Sequence, residues 1–158
     1  MTGIGSRPNL SWLKESGIDV DNGILCDVDG RASVPDVSAV GDVSAWSDGN
    51  GHRRVEHWSN VGDQVKRLIP ALLGHELAPA TASVQYFWSD QYDVKLQALG
   101  RTSAQSDVHT VAGNGRAFVS HYSRNGTVEG VVGANSPRQV MTMRRTISAG
   151  VPVSDLLD

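Results

Sequence analysis

The sequence has a single cysteine among its 158 residues, Cys26, so it can form neither an internal disulfide nor a dithiol redox pair. No apolar run approaches the roughly 18–20 residues of a membrane span, so we expect no membrane-spanning segment. Charge of one sign is lacking too: 14 basic and 17 acidic residues leave a net charge of −3, which disfavours a nucleic-acid partner. The opening MTGIGSRPNLSW lacks the charged and apolar regions of a secretion signal, so we predict a cytoplasmic protein.

What is present is the composition of an ordinary globular protein, with 39% hydrophobic and 20% charged residues. The first fifty residues are rich in glycine, aspartate and serine. They contain two predicted short strands, Gly23–Val28 and Val37–Val43, bounded by the stretches DVDNG and DVDGR. We interpret those stretches as turns rather than calcium loops, because their acids, glycine and glutamate do not fall at the spacing that a calcium loop requires.

A helix is predicted after Asn60, where apolar residues recur at three- and four-residue spacing: Val61, Val65, Leu68, Ile69 and Leu72. Gly74 predicts its end, and Pro70 predicts a kink or an early end in the last turn. The segment HELAPATAS, residues 75–83, is typical of a linker.

Alternating strands are predicted next. The segment Val94–Gly100 places Val94, Leu96 and Ala98 on one face, and Asn125-Gly126 is a strong two-residue hairpin signal. We therefore predict an antiparallel meander from about Val94 to Gly133. A second helix follows, with Ser136 as N-cap, Pro137 at the first position, Gln139 completing a capping box and Gly150 as the stop. Its predicted inward residues are Val140, Met143 and Ile147. The fold class is α+β.

Common catalytic motifs are missing. GIGS and GNGR lack the third glycine and the preceding strand of a dinucleotide cradle, so turn chemistry explains both better. No serine lies in a G-x-S-x-G elbow. His52 and His57 flank Glu56 but have no third ligand group nearby, so we predict no metal site.

Three stretches leave alternatives open. Gly41-Asp42 is either a plain turn or a place where a ligand approaches the backbone and a carboxylate accepts its hydroxyls. Glu56, His57 and Trp58 precede a helix. Either Ser59 or Asn60 caps that helix in the ordinary way, with Trp58 as a hydrophobic staple, or the free N-terminal amides meet an electron-rich group. The stretch YFWSDQYD, residues 86–93, fits a core strand, a surface patch or a pocket lining.

Taken in order, the pattern GIGSRPN … DNGILCD … PDVSAVGD … RVEHWSN … Q … YFWSDQYDVKLQ resembles the FAD-dependent ferredoxin reductases. These are NAD(P)H-dependent flavoproteins of the pyridine nucleotide-disulfide oxidoreductase superfamily that serve ferredoxins or rubredoxins. The resemblance runs over nearly the whole chain. It implies that residues 1–80 are the last segment of a split FAD-binding domain and that 81–158 form the C-terminal α+β domain.

The resemblance also implies site roles. Asp42 would accept hydrogen bonds from the ribityl chain, with Gly41 allowing close approach. Glu56, His57 and Trp58 would lie near the flavin ring, and Trp88 would border the isoalloxazine. Within the aromatic stretch, Phe87 and Leu96 would pack the core. None of these residues is an acid–base catalyst, because the flavin does the chemistry.

The implied function is electron transfer from NAD(P)H through FAD to a ferredoxin or rubredoxin. The sequence lacks the G-x-G-x-x-G fingerprint and an NAD domain, so we expect weak or absent FAD binding and no activity by this chain alone. The alternative is a non-enzymatic module that associates with itself through an exposed apolar surface.

Overall fold

The structure is a computed structural model that describes residues 5–49, 51–79 and 83–157. The chain divides into two compact units, Met1–Ala80 and Thr81–Asp158. Each unit has its own sheet, its own long helix and its own hydrophobic cluster. The two sheets and their helices confirm the α+β fold class expected from the sequence.

The first unit is built on a four-stranded sheet with the order β1-β2-β3-β4. Strands β2 and β3 run parallel, and both outer pairs are antiparallel. The strands are β1 (Val20–Asp21), β2 (Gly23–Cys26), β3 (Ser44–Ser47) and β4 (His52–Arg54), and the helix α1 spans Trp58–Leu72. Short 3-10 turns lie at Ser11–Leu13 and Gly41–Val43.

Trp46 fixes the core of this unit. Its indole Nε1 donates to the carbonyl of Ala39 at 2.8 Å, and its ring lies against Gly30. A Cβ at Gly30, which has φ +89°, would stand 2.3 Å from Trp46 Cζ2, so only glycine fits there. Cys26 lies in the same cluster, and burial raises the pKa of its thiol. A buried thiol of this kind behaves as a small hydrophobic residue rather than a nucleophile.

The turn prediction for DVDGR is confirmed, and the second predicted strand is wrong. Asp27 Oδ1 accepts the backbone N–H groups of Asp29 and Arg31, both at 2.9 Å, which is an Asx turn. The segment Val37–Val43, however, contains only an isolated bridge at Ser38 and the 3-10 turn, and the strand begins at Ser44. The positive φ of Gly41 breaks the extended run that its apolar neighbours suggested.

Helix α1 buries a face that shares only Leu68 with the predicted one. Its buried residues are Gln64, Leu68 and Ala71, whereas Val65 and Ile69 are exposed. The helix runs through Pro70 to Leu72 without ending early, because a proline in the last turn removes only one backbone hydrogen bond. Gly74 follows at φ +74°, as expected of a helix stop.

The second unit is a five-stranded antiparallel sheet. Its order is β5-β6-β9-β8-β7, so only the last three strands form a consecutive meander, and β9 pairs with β6 rather than ending the sheet. The predicted simple meander is corrected on that point. The strands are β5 (Tyr86–Gln91), β6 (Val94–Gly100), β7 (Asp107–Asn114), β8 (Ala117–Arg124) and β9 (Thr127–Ala134), and the helix α2 spans Pro137–Ala149.

The turn and helix signals of this unit are largely confirmed. Asn125 and Gly126 both have positive φ and join β8 to β9 directly. Ser136 is the N-cap of α2, but its hydroxyl donates back to the carbonyl of Ala134, so the predicted capping box does not form. Gly150, at φ +63°, ends the helix. The inward residues Val140, Met143 and Ile147 pack in the core as predicted.

Strand β6 alternates as predicted, but its more apolar face is not the core face. Leu99 is fully buried and Gln97 nearly so, while Leu96 is only partly buried. Phe87 lies on the same face as Leu96 and is 48% exposed. The expectation that Phe87 and Leu96 pack the core is therefore wrong, because α2 covers the opposite face of the sheet, the face that carries Tyr86 and Leu99.

Candidate functional site

The turn at Gly41–Val43 is held by a small buried network. The Gly41 backbone N–H donates to Gln64 Oε1 at 2.7 Å, and Gln64 Nε2 donates to Ser44 Oγ at 3.2 Å. Ser44 Oγ in turn donates to the Gly41 carbonyl at 2.9 Å. Gln64 and Ser44 are buried, so every bond of this ring is made away from water. The network fixes the turn against the middle of α1.

Gly41 and Asp42 differ in what they face. A Cβ on Gly41 would lie 3.4 Å from Val61 Cγ2, so the glycine faces α1, and its φ of +78° explains the residue type. Asp42 is exposed, and its carboxylate is open to hydroxyl donors.

Arg54 links three segments of the first unit. Its Nη1 donates to the Asp42 carbonyl at 3.3 Å and to Glu56 Oε1 at 2.7 Å, and its Nη2 donates to the Ser6 carbonyl at 3.0 Å. The side chain is only 5% exposed. Its Nε is buried without a hydrogen-bond partner among the residues that the structure describes. We call Arg54 with these three partners the Arg54 clamp.

Glu56 is the ionic partner in the clamp. Its carboxylate also accepts the hydroxyl of Ser6, and its side chain is 40% exposed. His57 is the N-cap residue of α1, and its carbonyl accepts the Asn60 N–H at 2.8 Å. Burial, followed by the positive charge of Arg53, lowers the pKa of the His57 imidazole. A lowered pKa favours the neutral ring at pH 7.

The start of α1 lies at the surface. Trp58, its first residue, is 83% exposed, so it does not act as a staple. The helix has no side-chain cap hydrogen bond and no acidic residue in its first turn. The partial positive charge of its N-terminus is therefore not neutralised by its own first turn, a feature that suits an electron-rich group.

Trp88 belongs to the second unit. It lies on β5 opposite Gln97 of β6, and its ring stacks on that of Tyr86 with centroids 5.5 Å apart and planes at 19°.

Within the first unit, the structure brings Asp42 and Glu56 together through Arg54, and His57 and Trp58 directly follow Glu56. Arg54 and Gln64 received no role from the sequence, although both lie in the pattern RVEHWSN … Q. No local pattern singles them out, because their neighbours Arg53, Glu56 and Asp63 are polar as well.

Other site classes find little support. In residues 5–49, 51–79 and 83–157 there is no group of three or more histidine, cysteine, aspartate or glutamate side chains that could hold a metal ion. Over the same described residues, neither helix is long and apolar enough to cross a bilayer.

Comparison with known proteins defines the class. Residues 1–64 match the family described as pyridine nucleotide-disulphide oxidoreductase, and residues 86–156 match the family described as reductase C-terminal. The chain therefore belongs to the pyridine nucleotide-disulphide oxidoreductases that carry this reductase C-terminal region, and the resemblance seen in the sequence is confirmed.

The particular relatives are ferredoxin reductases. Rhodocoxin reductase of Rhodococcus erythropolis is 35% identical over 98% of this chain and 36% of its own length. The ferredoxin–NAD(+) reductase component of the p-cumate 2,3-dioxygenase system of Pseudomonas putida is 31% identical over 93% of the chain and 36% of its own length. Putidaredoxin reductase, solved as a covalent complex with putidaredoxin, has a TM-score of 0.84 at 28% identity, covering 99% of this chain and 38% of that one. The chain thus spans about a third of the length of the relatives it matches.

Proposed function

We propose that the chain supplies the closing segment of an FAD site and the C-terminal domain of a ferredoxin reductase. In the complete protein, electrons pass from NAD(P)H through FAD to a ferredoxin or rubredoxin. The observation that carries this proposal is the Arg54 clamp, which joins the Gly41–Val43 turn to Glu56 immediately before the uncapped start of α1. The names of the relatives support the choice of substrate class.

The residues present fit part of the cofactor. The exposed carboxylate of Asp42 suits a sugar-like chain of hydroxyls, and the open N-terminus of α1 suits the electron-rich pyrimidine side of a flavin. The sequence has no G-x-G-x-x-G fingerprint for the pyrophosphate. We infer that Gly41, Asp42, Glu56, His57 and Trp58 of the first unit face the flavin. Trp88 of the second unit is proposed separately as a residue that borders the flavin. Bound FAD would supply hydride acceptance and single-electron release, while these residues bind and orient it.

Complementation tests this proposal. The chain is co-expressed with the part of rhodocoxin reductase that it does not match, and the purified complex is titrated with FAD. We expect a yellow complex that NADH reduces. Asp42→Ala should weaken FAD binding by about 10- to 150-fold, since it removes a charged acceptor worth about 1.5–3 kcal/mol when desolvated. Asp21→Ala, at an exposed edge-strand position, is the control. Equal FAD affinity in both variants would contradict the assigned role of Asp42.

A second candidate function has its own observation. The face of the second sheet opposite α2 carries exposed apolar side chains, among them Phe87, Val108 and Phe118. We propose self-association through this apolar sheet face as the alternative to a role in electron transfer. Light scattering of the chain alone, compared with Phe118→Glu, tests it. A monomer at all concentrations for the unsubstituted chain would rule this candidate out.

A further inference from the structure

The aromatic pair on β5 lies on the core side of the second sheet. Tyr86 pairs with Leu99 and Trp88 with Gln97 across the β5–β6 ladder, so these four side chains share a face. Gln97 reaches diagonally across the ladder, and its Nε2 donates to Tyr86 Oη at 2.6 Å. The phenol ring stacks on the indole of Trp88. An amide, a phenol and an indole therefore form one continuous chain of contacts.

Gln97 is confined at the interior end of this chain. It is 5% exposed, and its Oε1 is buried with no donor among the described residues. Gly133 is its neighbour on β9, and a Cβ on Gly133 would stand 2.5 Å from Val140 Cγ2. Helix α2 thus lies tightly over the sheet beside the amide. Among the described residues the Gln97 side chain is therefore anchored by the hydrogen bond that its Nε2 donates to the Tyr86 hydroxyl.

We propose that Gln97 and Tyr86 are positioning residues that fix the indole of Trp88. This inference rests on the proposed function, in which Trp88 borders the flavin. The hydrogen bond holds the phenol ring in place, and the face of that ring limits the orientations open to the indole. If the Trp88 indole had no such support, it would lose side-chain rotamer freedom on binding the isoalloxazine ring. An indole that is already held in place does not lose that freedom on binding.

The sharpest test removes one oxygen atom. Tyr86→Phe keeps the ring that stacks on Trp88 and deletes the hydroxyl that anchors it. Tyr122→Phe is the matched control, because Tyr122 lies on the opposite face of the same sheet. The full chain is labelled with 5-fluorotryptophan, and the Trp88 resonance is assigned by its loss in Trp88→Phe. We expect Tyr86→Phe to shift or broaden that resonance by more than its linewidth, while the other three tryptophan resonances stay in place.

Gln97→Leu provides the second arm. It should also move the Trp88 resonance, and the two shifts should be less than additive in the double variant, because both substitutions break the same hydrogen bond. An unchanged Trp88 resonance in Tyr86→Phe would overturn the proposal. So would strictly additive shifts in the double variant. If Gln97→Leu fails to fold, Tyr86→Phe against Tyr122→Phe still decides the matter.

The fluorine resonance of Trp88 can be measured without flavin. The positioning of Trp88 can therefore be tested separately from the proposed function. A complemented complex that binds no FAD would overturn the proposed function, and the resonance of Trp88 would still test its positioning. In a complex that binds FAD, we expect Tyr86→Phe to raise the residual flavin fluorescence, because a less ordered indole quenches less well. Unchanged fluorescence together with a shifted resonance would overturn the link between the positioning and the flavin.

Discussion

Replacing Arg54 by methionine tests the Arg54 clamp most sharply. Methionine keeps much of the aliphatic stem and deletes the guanidinium that reaches Asp42, Glu56 and Ser6. We expect the first unit to lose stability and the second unit to keep it, because every partner of Arg54 lies in the first unit.

The magnitude follows from the burial of the partners. Breaking a fully buried ion pair by removing one partner costs about 3–5 kcal/mol. Glu56 is 40% exposed and can be rehydrated, which lowers that figure. The two carbonyl acceptors add about 0.5–1.5 kcal/mol each. Deleting the partnerless Nε removes an existing cost and offsets part of the loss. We therefore expect the free energy of unfolding to fall by about 2–3 kcal/mol.

Urea unfolding followed by amide resonances measures this loss in each unit separately. Ser44 and Ala45 report on the first sheet, and Val131 reports on the second. Arg53→Met is the matched control, since Arg53 is the exposed neighbour on β4. The reasoning is refuted if the two variants lose the same stability, or if the Val131 transition moves as far as that of Ser44.

Three further predictions concern other contacts. Gly30→Ala should destabilise the first unit by more than about 2 kcal/mol, because the new Cβ meets the Trp46 ring at a positive φ; calorimetry of the first transition checks this. Gln64→Leu should cost about 1–3 kcal/mol by orphaning the buried Gly41 N–H, and faster hydrogen exchange at that amide is the readout. Burial, followed by the nearby His109, lowers the pKa of His121 from 6.5. The unfolded state then binds more protons, so the second unit should lose stability as pH falls below 6.5, and His121→Gln should lessen that loss.

The sequence predicted the elements better than their arrangement. Local signals decide helix ends and tight turns, and those at Asn125-Gly126 and Gly150 were right because backbone conformation at these positions depends on the residues themselves. The position of β9 between β6 and β8 depends on long-range pairing that no local pattern encodes. Likewise, Phe87 is exposed because α2 covers the opposite face of the sheet, and no local pattern shows which face a helix will cover.

The sequence motif identified the candidate site, but it did not identify the residues that hold the site in place. Asp42 drew attention as a carboxylate beside a glycine turn and Glu56 as a residue just before a helix, but Arg54 and Gln64, which hold these segments in place, were not assigned. Their roles arise from tertiary contacts across 12 and 23 residues of sequence. Helix α1 shows the same limit, because its periodicity favoured a face with Val65 and Ile69, whereas the turn network requires Gln64 inside.

The flavin content of a chimera shows whether this chain can complete an FAD site. The 158 residues replace the matching third of rhodocoxin reductase, and the bound FAD per polypeptide is measured by absorbance before and after NADH is added. We expect close to one FAD per chain, reduced by NADH and reoxidised by a ferredoxin. A folded chimera that purifies without flavin would contradict it.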